Sequence, residues 1–229
     1  KTELANLKNS PYTSLTYTPS PQEEIVRGEA TGTIPGKENY SYAMKDAAAA
    51  YQTALLWKLT GDVKYADLSV KILNAWADVC KRITSNDANQ MLAAGCQGYT
   101  FANAAEIMQT YEGWSANDIA DFKTWIVNVF ASKNKDFLDN HQGTNNCSLH
   151  YWSNWDLVNM CSYLAIGILT ENNDMVNFVV NYFYSGVGNG CISNLIQATF
   201  DDPLGNGEQI SQNQESGRDQ GHACMSLAV

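Results

Sequence analysis

The chain of 229 residues holds three histidines, His141, His150 and His222, each in a polar stretch between apolar runs. His150 follows Asn145 and Asn146 and precedes Tyr151, Trp152 and Asn154. His222 closes a segment that carries Glu215, Arg218, Asp219 and Gln220. An imidazole, with an ordinary pKa of about 6.5, can take up a proton at neutral pH. Guanidinium and carboxamide groups can hold a carboxylate and stabilise negative charge that develops beside it. A phenol can return a proton to a leaving oxygen. Together these groups suit removal of a proton from a carbon next to a carboxylate, and that chemistry requires neither a metal nor a cofactor. His141 stands apart: it ends a helical run, where its charge complements the helix dipole.

The neighbouring residues point to the kind of molecule such a site would hold. Tyr99, Tyr151, Trp152 and Trp155 offer flat faces, and Gln97, Asn145, Asn154, Gln214 and Gln220 offer neutral donors and acceptors. Sugar rings stack on the first set and bond through their hydroxyls to the second. A glycoside hydrolase would want two well-placed carboxylic acids. The candidates are Glu215, Asp219 and Asp156, but Asp219 adjoins Arg218 and Asp156 stands where it can cap a helix. A lyase acting on uronates instead needs a carboxylate-neutralising group, a base for the C5 proton and a donor for the C4 oxygen. The residues match that second set better. A hydrolase using Glu215 or Asp219, and a helical protein that only binds glycans, are the alternatives.

Charge and composition narrow the partners. With 24 acidic against 14 basic residues the net charge is −10, which disfavours nucleic acid. An acidic polysaccharide remains open, because steering depends on local charge. No apolar stretch approaches the roughly 18 residues of a membrane span, so no membrane insertion is expected. The chain starts at Lys1 with no signal-like segment, which suggests an export signal already removed and a periplasmic or secreted location. None of the six cysteines forms a C-x-x-C pair, so zinc is not expected; most sit in apolar runs and read as small buried hydrophobes, although an oxidising compartment would permit a disulfide.

Four of the five prolines fall in residues 1–40, which read as an irregular N-terminal arm. From Tyr42 the texture becomes helical. "YAMKDAAAAYQTALLWKLTG" is rich in strong helix formers and ends at Gly61, a C-terminal cap, and Asp62 can cap the amphipathic run that follows. The pattern recurs with "YTFANAAEIMQTYEG" and, capped by Ser115, "ANDIADFKTWIVNVFASKNKDFLDN". It recurs again with "NWDLVNMCSYLAIGILTEN" and "DMVNFVVNYFYSG", and "GHACMSLAV" starts another apolar helix. No sustained period-2 run appears, so the class is all-α.

The first helix of each pair is apolar nearly all round, and the second is more amphipathic. That predicts inner helices wrapped by outer ones, repeated as hairpins: an α/α toroid over residues 41–229, left as an incomplete barrel because the last helix has barely two turns. The chain is expected to continue beyond Val229. If the inner helices run the same way, the connections into them meet at one rim. Those connections are long and polar, covering residues 84–99, 140–155 and 201–222, whereas the opposite rim has tight turns such as "LTGD". Long loops on a rigid scaffold commonly carry function.

These stretches bear a family likeness. "DAAAAYQTALLWKLTGDVKYADLSVKILNAWA" resembles the opening hairpin of the alginate lyase superfamily, the α/α-toroid polysaccharide lyases. "NNCSLHYWSNWDL" is similar to that group's Asn- and His-bearing segment. "ESGRDQGHA" resembles the Arg/His segment of a Bacteroidetes-type branch of alginate and glucuronan lyases. The resemblance implies eliminative cleavage of 1,4-linked uronate chains such as alginate, polymannuronate or glucuronan. It implies that Asn146 polarises the substrate carboxylate with Arg218, that His222 is the base or assists neutralisation, and that His150 lies beside or just behind the substrate. A tyrosine acts as acid in the family; its usual position falls past Val229, with Tyr151 and Tyr99 as stand-ins. Where the better-known branch has a histidine after the asparagine, this chain has Cys147, which shifts the base toward His222.

Overall fold

The computed structural model describes residues 2–28, 38–85, 87–141 and 147–227. Three helical hairpins and one further helix pack side by side, as the alternation of apolar and amphipathic runs predicts. The inner helices are α2 (Tyr40–Thr60), α4 (Asn89–Met108), α7 (Ser153–Leu169) and α10 (Gln220–Leu227). The outer layer is α3 (Val63–Val79), then α5 (Ala116–Ile126) and α6 (Ser132–Asn140) joined through one π-helical stretch at Val127–Ala131, then α8 (Asn173–Ser185). A short α9 (Ile192–Leu195) follows. Along the inner wall α4 packs against both α2 and α7, and α10 packs against α7.

The caps are where the sequence puts them. Gly61 ends α2 in the left-handed region, with φ 72°, and its N–H reaches Trp57 O. Asp62 accepts from Lys64 N at the start of α3, and Ser115 accepts from Asp118 N at the start of α5. Small residues bring the inner helices close. Ala43, Ala47, Ala50 and Ala54 of α2 and Ala94, Ala102 and Ala105 of α4 are buried. Gly95 abuts Val158 and Gly98 abuts Ser162, with no room for a Cβ at either glycine. Both contacts advance in the same direction along the two helices, so α4 and α7 run parallel. Between the layers Trp76, Phe101, Trp125 and Phe130 form an aromatic cluster with ring centroids 5.2–6.0 Å apart, edge-to-face except for the tilted Trp76–Phe101 pair.

Several expectations need correction. The arm is not irregular throughout: it contains α1 (Thr2–Lys8), a 3-10 turn at Pro11–Thr13 and β1 (Glu24–Val26). β1 pairs in parallel with β2 (Arg82–Thr84) just ahead of α4. The arm is tied down by the buried Asp46 of α2, which accepts from Tyr17 Oη at 2.6 Å, Ser20 N at 2.7 Å and Trp76 Nε1 at 2.7 Å. Most of the stretch 84–99 is helix, because α4 begins at Asn89; its glycines serve close packing instead of a loop. The last connection holds an antiparallel hairpin of β3 (Ile196–Asp201) and β4 (Gln209–Asn213), with a bulge between Ile196 and Ala198. Cross-strand pairing gives these polar strands their structure without a buried face. Among the described residues no helix is long and apolar enough to cross a membrane.

Candidate active site

Because α4 and α7 are parallel, their N-termini open on one rim, and α10 starts beside α7. One bond joins the two histidine-bearing segments there: Ser153 N, an unpaired amide of the first turn of α7, donates to Gln214 Oε1 at 2.9 Å. A side chain preceding α10 thus caps α7 and ties the 213–222 segment to the 147–156 segment.

On the α10 side, Asp219 caps the helix by accepting from His222 N at 2.9 Å, and its other oxygen lies 2.5 Å from His222 Nδ1. These contacts, led by the backbone bond, hold the Asp219 carboxyl below the usual carboxylate range. In the neutral imidazole this hydrogen bond places the lone pair on Nε2, which bonds to no group among the described residues. The His222 side chain is 37% exposed. Arg218 Nη1 contacts both oxygens of Glu215 at 3.2 and 3.3 Å. Glu215 is 1% exposed and Arg218 about half exposed, so the buried acid anchors a guanidinium that makes no other hydrogen bond among the described residues.

On the α7 side, Asn189 Nδ2 clamps the approach to the helix by donating to Leu149 O and Tyr151 O at 3.1 and 2.6 Å. Tyr151 packs on Phe137 and Trp155, and the His150 ring meets it edge-on. Burial, then the nearby Asp87, pushes the Tyr151 phenol up. His150 is exposed, and Trp152 is 55% exposed. Tyr99 is partly exposed on α4, with Tyr51 and Cys161 as neighbours.

Other expected residues fall differently. Gln97 and Asn154 are buried, and among the described residues their side-chain oxygens have no partner; neither presents an amide at the surface. Glu215 likewise offers no free carboxylate, because Arg218 covers it. Gln220 is exposed at the first position of α10. Asn145 and Asn146 lie outside the described residues.

Two arrangements were not foreseen. Asp219, read above as a neighbour of Arg218, belongs instead to His222; the spacing D-x-x-H at a helix start is the signal that could have shown it. His141 is not a surface dipole partner. It adopts φ 48° at the end of α6 and is buried, with Nε2 2.7 Å from Asp156 Oδ1 and 2.9 Å from Tyr182 Oη. Asp156 Oδ2 also accepts from Gly190 N at 2.7 Å, so four elements meet on one carboxylate under the first turn of α7. Nothing in the sequence spacing signals that meeting. Among the described residues, no group of three or more His, Cys, Asp or Glu is placed to hold a metal.

A family model described as Alginate lyase matches residues 3–194. No curated protein and no solved structure matches. The family match stops before β3 and does not reach the Arg218–His222 segment.

Proposed function

Since the chain belongs to the alginate lyase family, we propose that it cleaves 1,4-linked uronate polymers, alginate or polymannuronate or glucuronan, by β-elimination. The observation that carries this is the His222 imidazole, anchored through Nδ1 on Asp219 and set four residues after a guanidinium that retains free donors.

Arg218 binds the C6 carboxylate of the sugar, with Asn146 as its expected partner. Neutralising that carboxylate makes the C5 hydrogen acidic and stabilises the enolate-like charge that forms on its removal, commonly by several kcal/mol. His222 Nε2 takes the C5 proton. The electron pair left on C5 forms the C4=C5 bond, and the C4–O4 bond breaks. The departing oxygen takes a proton from a phenol, which we assign to Tyr151, whose ring meets that of His150 on the same rim. His150 and Trp152 border the same rim and contact the polymer. The same reading puts the protein in the periplasm or outside the cell.

Elimination is favoured over hydrolysis by the state of the acids. Asp156 is buried against His141, Glu215 is buried under Arg218, and Asp219 is bonded to His222. None of the three is available as one of a pair of carboxyl groups flanking a glycosidic bond. The test is incubation with alginate, polymannuronate and glucuronan. A rise in the ultraviolet absorbance of unsaturated chain ends is expected from at least one. Reducing ends without that absorbance would establish hydrolysis, and binding without any product would establish a non-catalytic glycan binder.

A further inference from the structure

Among the described residues, Arg27 has no carboxylate partner. Its guanidinium lies over the Tyr40 ring, 4.6 Å from the centroid, and meets the Cys96 thiol of α4. Acidic residues outnumber basic ones 24 to 14 in this chain, yet no carboxylate pairs with Arg27 among the described residues. The side chain is only partly exposed. A half-buried charge normally acquires a partner, because leaving one unpaired costs stability. A tyrosine face and a neutral thiol supply packing and orientation without neutralising it.

The local structure holds that charge in place. Arg27 N donates to Thr84 O, extending the β1–β2 pair. Gly28 then turns with φ 98°, and a Cβ there would strike Asp87 and Ser85. Cys96 in turn neighbours Cys161 of α7, so the guanidinium lies near the contact between the inner helices α4 and α7. Tyr99 stands about one turn beyond Cys96 on the same helix, with Tyr51 of α2 close by.

We propose that Arg27, backed by Tyr40 and Cys96, docks a carboxylate of the uronate polymer on the inner wall, at a sugar unit other than the one being cleaved. This rests on the uronate reading of the site. His222 and Arg218 belong to the α7–α10 side of the inner helices, and Arg27 belongs to the α2–α4 side. One to two helix spacings of ~8–10 Å each separate them, more than one sugar ring can bridge. A residue that binds substrate and transition state alike lowers KM and leaves kcat unchanged.

The test compares wild type with Arg27→Gln and Arg27→Lys, first by calorimetric binding of polymannuronate, alginate and glucuronan, then by turnover on uronate oligomers of increasing length. Thermal melts confirm that both variants fold, and Arg27→Lys keeps the comparison open if Arg27→Gln does not. Arg27→Gln is expected to weaken polymer binding about tenfold and to raise KM by a similar factor, with kcat within twofold. It should also erase the drop in KM with oligomer length expected of wild type, and Arg27→Lys should restore part of the loss. Unchanged binding in Arg27→Gln, no binding by wild type, or a fall in kcat at constant KM would each overturn the proposal. Wild-type binding that depends on Arg27 but yields no unsaturated product would sustain this subsite while refuting the lyase reading.

Discussion

The two oxygens of Asp219 engage a single residue: one accepts the His222 backbone N–H at 2.9 Å and the other lies 2.5 Å from His222 Nδ1. One carboxylate therefore starts the last inner helix and sets the tautomer of the imidazole beside Arg218.

If that carboxylate orients the base, Asp219→Asn lowers kcat by roughly tenfold or more while KM changes little. Because Asp219 is depressed in the folded protein, its contribution to stability is present above the ordinary carboxylate value of about 3.9 and fades as pH falls through the lowered one. Melting temperatures of wild type and Asp219→Asn should accordingly converge in strong acid.

His222→Ala should cut turnover at least ~100-fold with the circular dichroism spectrum preserved. Added imidazole should recover part of the rate. Near-normal turnover would remove His222 from the mechanism.

Tyr151→Phe removes the proposed donor to the departing oxygen and leaves the ring packing on Phe137 and Trp155 in place. Turnover is expected to drop ~100-fold or more without a matching rise in KM. A substrate carrying a better leaving group at C4 should suffer less, which steady-state kinetics on the two substrates will show.

Asp46→Ala leaves Tyr17 Oη, Ser20 N and Trp76 Nε1 without their acceptor. Urea unfolding should show a loss of about 3 kcal/mol, the scale of several bonds to one charged group. Asp46→Asn should lose less, because it keeps one acceptor oxygen.

Tyr17 and Tyr182 are both raised far above the ordinary phenol value, by burial first and then by Asp46 and Asp156 respectively. A raised acid is favoured in its protonated form when folded. The stability this provides is complete below the unfolded value of about 10 and is lost as pH rises beyond it. Melting temperature should fall above about pH 10, and Tyr17→Phe together with Tyr182→Phe should flatten that decline.

Much of the architecture could be read directly from the chain. Gly61, Asp62 and Ser115 mark helix ends through local bonds that depend on a few adjacent residues, and the alternation of apolar and amphipathic runs dictates which helices are inside. Loop and helix were confused in residues 89–99 because glycine serves both turns and close packing. Gly95 and Gly98 are small so that Val158 and Ser162 can approach, a reason that exists only once α7 is present.

The candidate site divides along the same line. The residue types around His150 and His222 and their local spacing are properties of the sequence itself, and they carry the expectation of uronate chemistry on which the proposed function builds. Pairing was decided by tertiary structure. Gln214 meets Ser153 across 61 residues, His141 meets Asp156 and Tyr182 in the interior, and Arg27 reaches Cys96 from another element. Such contacts depend on how helices pack in three dimensions, and neither periodicity nor spacing along the chain encodes which distant side chains that packing brings within bonding distance.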